Sequence, residues 1–259
     1  MGRQGIETVT KRPGRKDAAL SEAAGLRWLR EASDRVVEVV RANADELVIE
    51  RVATVRPMPE AAREAGRELA RIHSAGAESF GSPPPGWEGL NYIGTQVQEC
   101  QPRARWADFY PEQRVLPFAR GAYEAGNISD AALDTVERAC AAISASDAFD
   151  DATPARIHGD LWAGNLLFGA DGPAFIDPAA HGGHRETDLA MLALFGAPFL
   201  DEIRAGYQEV HPLAQGWLEF TCVHQLHPLA VHALTYGPAY GQPLARQVQE
   251  TLRLLGAVG

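Results

Sequence analysis

The chain has 259 residues, 46% hydrophobic and 22% charged, which fits one or two globular domains and excludes a disordered or fibrous protein. Acidic residues outnumber basic ones 34 to 24, a net of −10, so no nucleic-acid partner is expected, because phosphate backbones demand a basic face. Cys100, Cys140 and Cys222 are widely spaced and form no CxxC pair, which argues against a disulfide framework or structural zinc and suits a reducing cytoplasm.

In chain order, Ile6 to Thr10 reads as a short strand ending at Lys11, with Pro13 and Gly14 as its exit turn. Asp17 is placed to cap a helix running to about Ala32, with Leu20, Ala23, Leu26 and Leu29 as its apolar stripe. Val36 to Val40 and Leu47 to Val52 are β-branched runs of strand length. Helical patterns then cover about Glu60 to Ser74, Trp106 to Ala125 and Ser129 to Ala145. A non-helical block, Arg156 to Gly183, interrupts them; it holds strand candidates at Asn165 to Phe168 and Ala174 to Ile176 around a Gly169–Gly172 turn. Helices resume from Thr187, including Trp217 to Tyr236 and Pro243 to Leu255. The apolar stretch Leu189 to Leu200 is too short to span a bilayer and contains Gly196 and Pro198, so no membrane association is expected. The first sixteen residues lack the apolar core of a signal peptide. The coarse result is an α+β chain: a small α/β lobe, a linking strand near residues 47–55, and a large, mostly helical lobe.

The run His158-Gly159-Asp160-Leu161-Trp162-Ala163-Gly164-Asn165 carries the most chemistry. Asp160 follows an apolar strand, Asn165 directly precedes another, and Asp177 ends the second strand of the hairpin before Pro178. Phosphoryl transfer from a magnesium-bound nucleotide needs a carboxylate to orient the attacking hydroxyl and take its proton. It also needs an amide oxygen and a second carboxylate to hold Mg²⁺ against the phosphates. Asp160 fits the first role, and Asn165 and Asp177 fit the second. Singly, each residue reads as a turn cap or strand end; together they match the Asp-to-Asn interval of a kinase catalytic loop.

Among the 24 basic residues only Lys11 and Lys16 are lysine, the rest being arginine. Lys11 ends the first strand, and Glu22 shares a helical stripe with Leu26 and Leu29. A carboxylate on a half-buried stripe needs a cation. A Lys11–Glu22 pair would set the ammonium where nucleotide phosphates pass.

These runs, with Ile176-Asp177-Pro178, Gly183-His184-Arg185-Glu186-Thr187-Asp188-Leu189-Ala190-Met191 and Leu194-Phe195-Gly196, closely resemble the fructosamine kinase (ketosamine-3-kinase) family. The resemblance extends through Gly66 to His73, Asn91-Tyr92-Ile93-Gly94 and Pro212-Leu213 over nearly the whole chain. It implies the protein-kinase-like, two-lobe fold of the aminoglycoside phosphotransferase and choline kinase group. It also implies ATP- and Mg²⁺-dependent phosphorylation of the sugar hydroxyl on a small-molecule or protein-bound glycated amine, as in protein deglycation. On that pattern Asp160 is the base and Asn165 and Asp177 hold the metal. Lys11 and Glu22 serve the phosphates, and backbone groups at Glu50 to Val52 hold the adenine. Trp162, Trp106, Trp217 and Glu186 are candidates to grip the acceptor, while Asp188 is expected to support the catalytic loop. A monomer or weak homodimer is expected.

The family pattern places two strands and a Gly-rich loop ahead of the lysine strand. Here ten residues precede Lys11, and Gly2 and Gly5 do not supply that loop, so residues 1–55 are expected to form a shortened nucleotide-binding lobe and 56–259 the helical catalytic lobe. After Asp177-Pro178 the chain reads Ala179-Ala180-His181-Gly182-Gly183-His184, where many members carry a pair of tyrosines before the Gly-His. Three rivals remain on the sequence: an aminoglycoside- or choline-type phosphotransferase, a degenerate kinase homologue, and a metal-dependent hydrolase using His158, Asp160, His181 and His184.

Overall fold

The computed structural model describes residues 7–256. Strands β1 (Thr8–Lys11), β2 (Val39–Ala42) and β3 (Leu47–Glu50) form an antiparallel sheet in the order β1-β3-β2. The central strand takes the most apolar run, and Leu47, Val48 and Ile49 are buried. Lys11 lies opposite Leu47 at the end of β1. Helix α1 (Ala18–Arg30) buries Ala23, Leu26 and Leu29. Asp17 stands at its start at φ 58°, but makes no side-chain cap; its carbonyl accepts from the Leu20 and Ser21 amides instead. Some strand boundaries move from the sequence reading: β2 begins at Val39 rather than Val36, which makes a parallel bridge to Phe175, and β3 ends at Glu50 rather than Val52. Gly2, Gly5 and Ile6 lie outside the described residues.

Helices α2 (Pro59–Ser74) and α7 (Leu200–Val210) cross with their backbones in contact. A Cβ on Gly66 would sit 1.9 Å from the Ile203 carbonyl oxygen, and one on Gly206 would sit 1.9 Å from that of Arg63. Only glycine fits at either place, and the crossing carries His73 to Tyr207. The helix expected over 106–125 is present and runs unbroken over 106–124, but a π-helical turn, Pro111–Val115, divides it into α3 (Trp106–Tyr110) and α4 (Leu116–Glu124). Pro111 lacks an N–H, and the widened turn carries Arg114 into the interior. Helix α5 (Asp130–Ala145) is capped by the Ser129 side chain, which accepts from the Ala132 amide.

The block around the motif contains β6 (Ala155–Ile157), β7 (Leu166–Gly169), β8 (Gly172–Phe175) and β9 (His181–Gly183). The β7–β8 hairpin matches the sequence reading; the β6–β9 pairing, which clamps both flanks of the motif, does not figure in it. Nor does a further hairpin, β4 (Asn91–Ile93) and β5 (Gln96–Gln98). Helix α6 (Glu186–Leu194) follows β9. The helix expected over 217–236 breaks into a 3₁₀ turn Trp217–Phe220, α8 (Thr221–His224) and α9 (Leu226–Tyr236), before α10 (Gly241–Leu254).

One apolar cluster joins Leu26, Leu47 and Ile49 to Leu69, Leu161, Leu166 and Phe175, so the three-stranded sheet and the motif share a core. A second cluster is built from Trp106, Phe109, Tyr110, Phe118, Ile143 and Leu229. Among the described residues no helix is long and apolar enough to cross a membrane, and all three cysteines are free.

Candidate active site

Strand β6 delivers the chain to His158 and Gly159, where it turns sharply. Gly159 sits at φ 78°, and a Cβ there would lie 2.3 Å from the Ala179 carbonyl oxygen, so the turn requires glycine. Asp160 emerges from this turn. A 3₁₀ turn, Ala163–Asn165, then returns the chain so that the Asn165 amide Nδ2 donates to the Asp160 carbonyl at 2.7 Å and its Oδ2 at 3.3 Å. Nδ2 also lies 3.4 Å from the Asp177 carbonyl oxygen, which draws the end of the hairpin to the same point. Asp177 is held at φ 56°, immediately before Pro178, a backbone state that non-glycine residues avoid. Such strain concentrates at functional sites.

From the other side, the Lys11 Nζ reaches the Glu22 carboxylate at 2.6 Å and the Asp177 Oδ1 at 2.8 Å. Lys11, Glu22, Asp160, Trp162, Asn165 and Asp177 all line one cavity of about 470 Å³. The residues selected from sequence for base, metal and phosphate roles therefore converge. Burial, and next the nearby Asp177 carboxylate, push the Asp160 carboxyl up to about 8. Burial alone would lower the Lys11 ammonium, but Glu22 and Asp177 outweigh it and hold it above its usual value.

Beneath the floor lies a brace. Asp188, 1% exposed, accepts from the His158 amide at 2.7 Å and the Gly159 amide at 2.9 Å, one on each carboxylate oxygen. His73 Nε2 meets Asp188 Oδ2 at 3.0 Å, and His73 Nδ1 meets the Tyr207 hydroxyl at 2.8 Å. Burial would raise the Asp188 carboxyl, but these partners more than reverse it and hold it below the usual range. The His158 ring bonds the Ile176 carbonyl oxygen at 2.8 Å, linking the motif to the strand end before Asp177. Asp188 thus has the supporting place expected of it. His73 received no individual role from the sequence, although it closes one of the runs that carried the family resemblance.

Other sequence candidates are not in this cleft. Trp106 is 1% exposed, stacked on Tyr110 and packed against Phe149, His184 and His224, so it offers no face to a ligand. Glu186 and Trp217 line a separate cavity of about 280 Å³ with His184, Arg185 and His211. The reason is helical geometry: Glu186 and Asp188 are two residues apart, about 200° around α6, so one faces away when the other faces the motif. Glu50 and Val52, expected at the adenine, line a third cavity of about 220 Å³ beside the Gly169–Gly172 turn, and the Glu50 carboxylate accepts from the Glu38 amide. The histidines of the hydrolase reading also disperse. His181 bonds Ala179 and Arg114, His158 bonds Ile176, and His184 instead groups with Glu186 and His224, with ligand atoms within 4.8 Å.

The model of the fructosamine kinase family matches residues 15–254. This chain belongs to that family. A probable ketoamine kinase of Enterococcus faecium is 33% identical over 180 residues, which cover 69% of this chain and 63% of that protein. The chain thus spans less than two thirds of that relative's length. A solved structure from Thermobifida fusca, named a "putative fructosamine-3-kinase", is 43% identical with a TM-score of 0.89, covering 96% of this chain and 86% of that one. An aminoglycoside phosphotransferase, APH(4)-Ia, shares the fold at a TM-score of 0.61 and 13% identity, covering 99% of this chain and 93% of its own. The architecture is that of the protein-kinase-like phosphotransferases.

Proposed function

We propose that this family member is an ATP-dependent kinase that phosphorylates a sugar hydroxyl of ketosamines, fructosyl or ribulosyl amines free or on protein. The observation that carries the reading is the convergence of Asp160, Asn165, Asp177, Lys11 and Glu22 on one cavity in a chain of this family. Asp160 lies in the cavity floor and orients the acceptor hydroxyl, taking its proton as the bond to phosphorus forms. Its raised affinity for a proton suits that task. Lys11, poised between the Glu22 and Asp177 carboxylates, meets the nucleotide phosphates.

The donors near Asp177 fit Mg²⁺, because an amide oxygen and a carboxylate are hard ligands and both residues line the cavity. Asn165 and Asp177 would hold the ion, which when bound neutralises charge on the transferring phosphoryl group. Trp162, 44% exposed at the cavity, offers an indole face to the acceptor. Its ring lies where a Cβ on Gly164 would be, 2.2 Å from the nearest ring atom, so Gly164 lets it lie flat against the chain. A ketosamine presents a polyol beside a cationic nitrogen, which an acidic, partly aromatic cleft receives.

The test is ADP release measured with a fructosyl- or ribulosyl-lysine, a kanamycin-type aminoglycoside and choline. Turnover is expected on the ketosamine in preference to the other two. Turnover of an aminoglycoside or choline with none on any ketosamine would overturn the substrate while leaving the kinase chemistry standing.

A further inference from the structure

The β4–β5 hairpin has no role in the phosphoryl-transfer cluster, yet Asn91, Tyr92, Gly94 and Thr95 form part of the wall of the same cavity. Its two-residue turn has Gly94 at φ 54°, which lets the strands reverse tightly with Ile93 opposite Gln96. Three polar groups are presented there: an amide, a phenol and a hydroxyl. None carries a formal charge, in contrast to the Lys11, Glu22, Asp160 and Asp177 end of the cavity.

The hairpin is fixed at both ends. At the cavity end, the Tyr92 hydroxyl donates to the Lys16 carbonyl at 3.0 Å, tying it to the turn before α1. At the base, Arg114 from the π-helical turn donates to the Glu99 carbonyl at 2.5 Å and to the His181 ring at 3.2 Å. His181 bonds the Ala179 carbonyl at 2.8 Å and approaches the Gln98 amide at 3.5 Å. Arg114 is 1% exposed, lies over the Phe109 ring at 4.5 Å and has no carboxylate partner among the described residues. A buried cation satisfied by carbonyls and a ring nitrogen is costly to place. Here it locks the hairpin base to the segment that follows Asp177, and Ala179 and Ala180 of that segment also line the cavity.

We propose that the β4–β5 hairpin is the acceptor-recognition wall of the cleft, with Asn91 and Thr95 as specificity-determining residues for the hydroxyls of the sugar chain beyond the one that reacts. The inference rests on the ketosamine kinase reading and deepens it. Amide and hydroxyl groups both donate and accept, which matches a polyol whose hydroxyls do the same. A neutral wall gives no reward to the several ammonium groups of an aminoglycoside. Phosphate recognition stays with Lys11, which also lines the cavity, so acceptor and nucleotide affinities separate by residue.

The experiment compares Asn91→Ala and Thr95→Val with wild type and with Val97→Thr, an exposed position on β5 outside the cavity lining. Steady-state kinetics on fructosyl-lysine are read with ATP saturating, and on ATP with fructosyl-lysine saturating; thermal melting checks that each variant folds. Each cavity variant is expected to raise KM for fructosyl-lysine by about tenfold, the effect of one lost hydrogen bond, and to leave KM for ATP within about twofold. Val97→Thr should match wild type. The tenfold penalty should shrink on a fructosyl-lysine lacking the sugar's terminal hydroxyl, as a shared contact requires. An active wild type whose cavity variants keep its acceptor KM overturns the hairpin assignment alone. So does an equal rise in KM for ATP. A wild type inactive on every ketosamine overturns the function beneath it, and the acceptor named here falls too.

Discussion

Asp160 and Asp188 serve the same turn from opposite sides, and their surroundings have opposite effects. Asp160 faces the cavity, near Asp177, and burial with that like charge holds its carboxyl up to about 8. Asp188 lies beneath, met by two backbone amides and His73, and is held below its usual range. A carboxylate surrounded by donors is a strut: its charge is satisfied and its position fixed. A carboxylate left short of donors, beside another carboxylate, is a group poised to take a proton. The two aspartates are thus set apart by burial and hydrogen-bond partners rather than by residue type.

Breaking each aspartate should separate activity from stability. Asp160→Asn is expected to lower turnover about 10³-fold, within the range for loss of a general base, while the protein remains folded. A steady-state assay beside a urea melt checks it; a drop of less than tenfold would remove Asp160 from the proton-transfer role. Asp188→Asn should instead destabilise the chain by about 3 kcal/mol, because two buried amides and His73 lose a charged acceptor. Urea unfolding reads this directly, and an unchanged midpoint would show that the brace bears no strain.

Proton linkage sharpens the contrast. A folded-state value raised above the unfolded one gives stability that is full below the unfolded value and is lost as pH rises through the folded one. For Asp160 that window runs from about 4 to about 8. Asp160→Asn should therefore gain on wild type as pH rises across it in metal-free buffer, by about 2 kcal/mol, well under the full linkage value because the carboxyl is partly open to solvent. Asp188 has the opposite sign: its contribution is full above the ordinary carboxylate range and is lost only on strong acidification. Asp188→Asn should show no such gain. Parallel pH–stability curves for the two variants would refute the opposed environments.

The smallest effect concerns the two lysines. Lys11→Met should raise KM for ATP about tenfold, whereas Lys16→Met should change it less than about twofold, since only Lys11 joins the Glu22 and Asp177 carboxylates. Equal responses would mean that Lys11 is not the phosphate contact.

What the sequence discloses follows the same division. Asp160, Asn165 and Asp177 are legible because a local hairpin sets their separation, and short-range turn chemistry is written in adjacent residues. The Lys11–Glu22 pair is legible from a helical stripe and the cost of an unpaired charge. The fold's helices are largely legible too, because periodic burial marks them. The β4–β5 hairpin escapes notice because its strands are three residues each and mix Asn, Tyr and Gln without clear alternation. The β6–β9 pairing escapes because it joins distant segments through His181-Gly182-Gly183, which has almost no strand propensity. Glu186 lies away from the cleft for a related reason: nearness to Asp188 in sequence says nothing about which side of α6 a residue faces until the packing of that helix is known. Trp217 stands on the 3₁₀ turn before α8, whose position is set by long-range packing rather than by adjacent residues.

The most direct test of the site is calorimetric titration of Mg·ATP into Asp160→Asn and Asp177→Asn. If Asp160 is the base and Asp177 a metal ligand, Asp160→Asn binds with an affinity within about threefold of wild type, while Asp177→Asn loses at least about tenfold. Equal loss in both variants would contradict the division of roles on which the account rests.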